Sequence, residues 1–190
     1  MSQRTVAAAL LLVSAMAPWA CGVAWSAPAA ASTPAAGLRE LRWEELVPKG
    51  WDPLKRFREA NVGMFNDSDP RVQALMRELR EAWDNAPTND SMNGAAGRLP
   101  GYLIPLEDAR GLLKEFLLVP YYGACIHSPP PPANQIVHVV LNPPVKGFRM
   151  MDAVWVTGTL KTERQDSPMG RSGYQMQAVS VQPYVPKARR

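Results

Sequence analysis

Cys125 and His127 stand two apart in the run from Phe116 to Gln135, immediately ahead of four consecutive prolines, Pro129, Pro130, Pro131 and Pro132. In an extended chain that spacing sets both side chains on one face. Thiolate and imidazole are a preferred ligand pair for zinc and copper. The same pair has a second chemistry, because an imidazole beside a thiol lowers its pKa and makes a nucleophile. A third reading is structural: Cys125 is a small buried side chain, and His127 is hydrogen-bonded to orient the proline loop. The prolines favour polyproline II geometry, which fixes the chain's exit from the pair without backbone hydrogen bonds. Rigid flanks of this kind lower the ordering cost of a site.

A Cys-x-His pair does not complete a zinc site, since tetrahedral zinc normally takes three or four protein ligands. His138 is the only other histidine and could return to the pair if its strand lies beside the loop. Carboxylates must supply the rest, with Glu107 or Asp108 as candidates. Other chemistries lack their motifs: the chain has no Gly-rich phosphate loop, no Cys-x-x-Cys, no His-Glu-x-x-His and no nucleophile elbow around a serine. The adjacent carboxylates Glu44/Glu45 and Glu107/Asp108 read as surface pairs. Tyr102, Phe116, Tyr121, Tyr122, Trp155 and Tyr174 are either core and rim or a binding face.

The cysteine count gives Cys125 its weight. The chain holds two cysteines, and the other, Cys21, falls in a leader. Residues 1–31 read as a secretory signal peptide. Arg4 supplies the positive start, and Val6 to Met16 is a run of about 11 apolar and small residues, short of the roughly 20 a membrane span needs. Small residues crowd Ala24 to Ser32, and cleavage fits after Ser26 or after Ala31. Cys21 permits a second reading, a lipoprotein anchor, although Pro18 and Trp19 suit that motif poorly. On either reading the exported, periplasmic domain keeps one cysteine, in a compartment where cysteines usually come paired. An unpaired thiol there is buried, metal-bound, joined to another molecule or reactive.

The 46% hydrophobic and 20% charged content provides for a packed core. The formal charge of +4 is local. Arg4 lies in the leader, and Lys187, Arg189 and Arg190 form a basic tail; the remaining cations balance the 17 carboxylates. A neutral exported body argues against nucleic acid. Membrane contact would then come only through a lipid anchor at Cys21.

The elements that must position the pair read as a mostly β fold with an N-terminal helix. After a flexible tether over 28–37, Leu38 to Trp51 is a short amphipathic pad. Asp69 to Trp83 is the clearest helix, with Asp69 as cap, Pro70 in the first turn and a stripe of Val72, Leu75, Met76, Leu79 and Trp83. Its apolar stripe predicts a packing helix. From Arg98 the apolar period falls to two, and strands are predicted at 98–106, 114–121, 135–141, 153–162 and 173–184. Val137, Val139 and Leu141 share one face of the third; Ile136, His138 and Val140 share the other. Connections are expected at 107–111, 123–134, 142–147 and 165–173. Five strands, with Gly158 marking a bend in the fourth, suggest a small Greek-key barrel of the oligonucleotide/oligosaccharide-binding (OB) type. A flatter sandwich is the alternative. The organisation expected is a signal peptide at 1–31, tether and helical segment at 32–90, a β-barrel domain at 91–184 and a basic tail at 185–190.

Several of these runs resemble the bacterial domain-of-unknown-function 3299 family. They are Trp43 to Pro48, Gly101 to Glu107, the Phe116 to Gln135 run, Val154 to Gly158 and Gly173-Tyr174. The resemblance covers roughly residues 40–184 and implies an exported bacterial protein. It also implies a setting beside ABC transporter components, sometimes metal-responsive, but no established activity. Its signature carries over Cys125, His127, Pro129–Pro132, Asn134 and Gln135; Ser128 departs from it, and His138 is not carried over. Together these readings predict a metal-binding accessory protein holding zinc or copper and serving a transporter. The alternatives are an envelope interaction module with Cys125 structural, and a thiol enzyme.

Overall fold

The computed structural model describes residues 38–59, 66, 68–109, 111–125 and 130–185. The leader with Cys21, the basic tail after Val185, and Ile126 to Pro129 with His127 lie outside the described residues.

Five strands close into a barrel: β1 (Ala96–Ala109), β2 (Leu112–Val119), β3 (Val137–Val145), β4 (Ala153–Lys161) and β7 (Tyr174–Pro183). Around the barrel the order is β1-β2-β3-β7-β4, closing back onto β1. β3 and β7 run parallel and every other neighbour is antiparallel. This is the Greek-key order of an OB-type barrel. Closure depends on β1, which pairs with β4 over Ala96–Tyr102 and with β2 over Tyr102–Ala109. The bend expected at Gly158 is present: the β4–β7 register shifts between Thr157 and Gly158. A Cβ at Gly158 would fall on the Gln177 carbonyl oxygen and 2.9 Å from Ala178 Cα, so only glycine lets the strands approach here.

The period of two fills the barrel. Leu99 and Leu103, Phe116 and Leu118, Val137, Val139 and Leu141, Val154 and Val156, and Tyr174 and Met176 all point inward and are buried. A second apolar layer lies outside the barrel wall: Ile104, Leu117, Val119, Ala124 and Ile136, with Cys125, Met151 and Met169 against them.

The N-terminal pad is strapped to the barrel. Leu41 N–H donates to Arg98 O at 2.8 Å, and Arg98 N–H donates to Arg39 O at 2.9 Å. A 3₁₀ turn over Trp43–Leu46 follows, and Leu41 and Leu46 join the barrel core. The Tyr174 hydroxyl locks the strap. It donates to Leu46 O at 2.7 Å and accepts from Asn89 N–H at 2.6 Å.

Four elements differ from the sequence reading. β1 runs on to Ala109, through most of the connection expected at 107–111. A short helix α1 (Lys55–Glu59) follows the pad. A small hairpin, β5 (Gln165–Ser167) with β6 (Gly170–Ser172), occupies what was expected to be a connection. β3 continues through the expected 142–147 loop to Val145, with an irregularity in its pairing to β2. Helix α2 (Pro70–Asp84) has the expected cap, Asp69 accepting from Arg71 N–H at 2.8 Å. Its packing is lighter than the stripe predicts: Val72 is its buried residue, and Met76 is 53% exposed. No helix among the described residues is long and apolar enough to cross a membrane.

Candidate functional site

The loop after β2 turns back on itself through Gly123 (φ 82°) and Cys125 (φ 64°). A left-handed backbone at a non-glycine residue is uncommon. Cys125 itself is therefore not extended, and Ile126 and His127, on which the shared face also depends, lie outside the described residues. Cys125 is a free, half-buried thiol packed on the outer apolar layer. Its neighbours converge on the β5–β6 turn. A methyl at Gly170 would meet Ile136 Cδ1 at 3.5 Å, Pro130 Cβ at 3.6 Å and Cys125 Sγ at 3.9 Å. Burial pushes the thiol up to about 11, against thiolate formation. Nucleophilic chemistry at neutral pH requires the opposite shift. The sulfur borders a cleft of about 440 Å³ that Asp84, Asp166, Ser167 and Arg171 also line. Arg171 is ion-paired with Asp166 across the hairpin.

The other predicted ligands are placed elsewhere or fall outside the description. His138 sits on the outer face of β3 opposite Leu117 and is 2% exposed. Its Nε2 lies 3.3 Å from Glu115 Oε2, and its Nδ1 is buried without a hydrogen-bond partner. Glu107 and Asp108 lie in β1, their side chains outside the described residues. Among the described residues, no three His, Cys, Asp or Glu side chains cluster closely enough to hold a metal ion.

The residues after the proline run have structural partners. Asn134 is fully buried and donates from Nδ2 to Pro87 O at 3.0 Å. Ala133 O accepts from Gly173 N–H at 2.6 Å. Gln135 Nε2 reaches Trp43 O at 3.5 Å. This segment therefore ties β7, the pad and the chain before β1 together.

A second site lies on the outer barrel wall over β1 and β4. Pro100 pairs with Trp155 and Tyr102 with Ala153, all facing outward while Leu99, Leu103, Val154 and Val156 face the core. The Trp43 indole N–H donates to Pro100 O at 2.7 Å, which fixes that ring on the wall. Tyr184 N–H donates to Ala153 O at 2.8 Å, placing the second ring. Trp43, Pro100, Tyr102, Pro120, Ala153 and Tyr184 enclose a cleft of about 240 Å³. Tyr122, 67% exposed, stands edge-on to Tyr102 with centroids 5.7 Å apart. Trp155 lies 5.3 Å from Tyr184, with the Arg98 guanidinium 4.3 Å above its ring. Of the aromatics singled out in the sequence, Phe116 and Tyr174 are core, whereas Tyr102, Tyr121, Tyr122 and Trp155 remain outside it. Trp43 and Tyr184 escaped the sequence reading as members of this face. Their only sequence signal was aromatic character at the two ends of the domain.

The fold and these surfaces define a small closed barrel of OB-type strand order, carrying an N-terminal strap and an aromatic outer face. The chain belongs to the family described as protein of unknown function, DUF3299, whose model matches residues 43–183. A crystal structure of a DUF3299 family protein from Pseudomonas aeruginosa PAO1 is 38% identical to it, with a TM-score of 0.61, covering 80% of this chain and 99% of that one. No curated protein matches the chain.

Proposed function

We propose that this protein is a non-enzymatic interaction module of the bacterial envelope, exported to the periplasm and docking a partner through the aromatic outer face. The cluster of Trp43, Tyr102, Tyr122, Trp155 and Tyr184 on a rigid barrel wall carries the reading. Aromatic side chains supply large contact area at low entropic cost and are enriched where proteins bind one another. The half-buried thiol with its raised pKa supports a structural Cys125. An ABC transporter subunit is the partner class that the family resemblance implies. Site-specific photocrosslinking in intact cells tests the docking face. A photoreactive residue at Tyr122 should give a discrete adduct that survives Cys125→Ser, and one at Val179, exposed on β7, should not. Identical adducts from both positions, or none from Tyr122, would refute the reading.

A second reading, zinc or copper held through Cys125 and His127, draws support from a thiol and an imidazole two residues apart ahead of a rigid proline run. Elemental analysis of protein purified from periplasm, beside Cys125→Ser, decides it. Metal that disappears in the variant supports the site; metal in neither sample ends it.

A further inference from the structure

We propose that the cleft between Trp43, Tyr102 and Tyr184 takes an extended, uncharged, proline-rich segment of the partner. This rests on the interaction reading above and names its chemistry. Size is the first argument. At about 240 Å³ the cleft lies below the roughly 300–1,000 Å³ of pockets that engulf a whole small molecule. It suits side chains inserted from a longer chain lying across the wall.

The second argument is the backbone. An extended peptide commonly docks by adding a strand to an open sheet edge. Here β1 is paired on both sides and the barrel is closed, so the wall under the cleft offers no ladder. Recognition must go through side chains to a segment needing no strand partner. Polyproline II fits: it has no internal hydrogen bonds, carries no N–H at proline, and is ordered before it binds.

The third argument is charge. No charged side chain lines the cleft among the described residues. A cation on this face, Arg98, lies over Trp155 and is ion-paired with Glu40 at 3.2 Å. A neutral segment complements such a surface, whereas a nucleic acid would require unpaired cations for its phosphates. Proline-rich chains present carbonyl acceptors, and the tyrosine hydroxyls at the cleft are suitable donors.

Intrinsic fluorescence titration of the full mature protein with synthetic decaproline tests the proposal, because Trp43 and Trp155 flank the site. A Gly-Ser decamer and a neutral hexasaccharide serve as comparison probes. Saturable binding of decaproline alone is expected. It should weaken at least about fivefold in Tyr184→Ala, an exposed position whose circular dichroism should match the wild type. It should stay unchanged in Cys125→Ser and vary less than about twofold with salt, as for a neutral contact. Binding of the Gly-Ser probe with equal strength, binding of the sugar alone, or decaproline binding indifferent to Tyr184→Ala would overturn the proposal. Crosslinks at Tyr122 that persist while decaproline fails would overturn the proline chemistry and leave the interaction module standing. Loss of both would remove both.

Discussion

Replacing Tyr174 by phenylalanine removes one oxygen atom from a fully buried side chain. That oxygen donates to Leu46 O at 2.7 Å and accepts from Asn89 N–H at 2.6 Å. The ring remains in the barrel core, so the apolar contribution is conserved. Two backbone groups lose a buried partner, and each group left unsatisfied costs about 1–3 kcal/mol. Allowing some relaxation, the variant should lose about 2–4 kcal/mol, a large share of the roughly 5–15 kcal/mol that holds a domain folded. At roughly 2–4 °C per kcal/mol for a domain of this size, Tm should fall by about 4–16 °C. Urea unfolding followed by tryptophan fluorescence should show an earlier midpoint with an unchanged slope. Tyr184→Phe, at an exposed hydroxyl, should stay within about 0.5 kcal/mol of the wild type. A Tyr174→Phe loss below about 0.5 kcal/mol would refute the claim that this hydroxyl locks the strap to the barrel. The same hydroxyl sets an alkaline limit. Burial pushes the Tyr174 phenol above its ordinary 10, so the folded state holds the proton more tightly than the unfolded chain. The stability linked to that proton is complete below pH 10 and declines as pH rises through the folded pKa.

Three further outcomes follow from the geometry. With its thiol at about 11, Cys125 should react slowly with a disulfide reagent at neutral pH, and the rate should climb about tenfold per pH unit through pH 10; a plateau below pH 9 would contradict the buried environment. Gly158→Ala should destabilise the domain by about 1–3 kcal/mol in equilibrium unfolding, because the new Cβ meets the β7 backbone; a neutral result would mean that the two strands can separate freely at the bend. Hydrogen bonds from the Arg71 side chain and backbone hold Asp69 at about 2 against 3.8 for the free group. The contribution of the α2 cap is therefore complete above about pH 4 and disappears as pH falls toward 2. Asp69→Ala should lower helical ellipticity at pH 7 and show a weaker acid transition; an identical acid transition would assign that transition to other carboxylates.

Much of the barrel was legible locally. Val137, Val139 and Leu141 against Ile136, His138 and Val140 display the period of two, and Gly158 announces a bend whose cause is the close approach of β7. Asp69 and Pro70 mark the start of α2 because cap chemistry is local. What covers a face was not legible. Ile136, ahead of β3 in the outward set, is buried against Cys125 and the β5–β6 turn, and no period within β3 reports that second layer. The stripe of α2 is as regular as that of a core helix, yet Met76 remains exposed, since regularity records a face and not the partner that meets it.

The candidate sites divide along the same line. Residue type and spacing singled out Cys125 and the proline run, and they excluded the motif-bearing chemistries, because those depend on neighbours in sequence. The left-handed backbone at Cys125 and the burial that raises its thiol pKa belong to the fold, which brings Pro130 of the run together with Ile136 and Gly170 beside the sulfur. The aromatic cleft is still more a product of the tertiary fold. Trp43 and Tyr184 belong to opposite ends of the domain and meet only because the strap and β7 flank β1 and β4. The sequence by itself determined which residues face in, where α2 begins and which loop carries the lone thiol, since covalent spacing and backbone period decide those. Closure of the barrel decided which outer faces are covered and which aromatics converge, because contacts between distant segments exist only once β1 has paired on both of its edges.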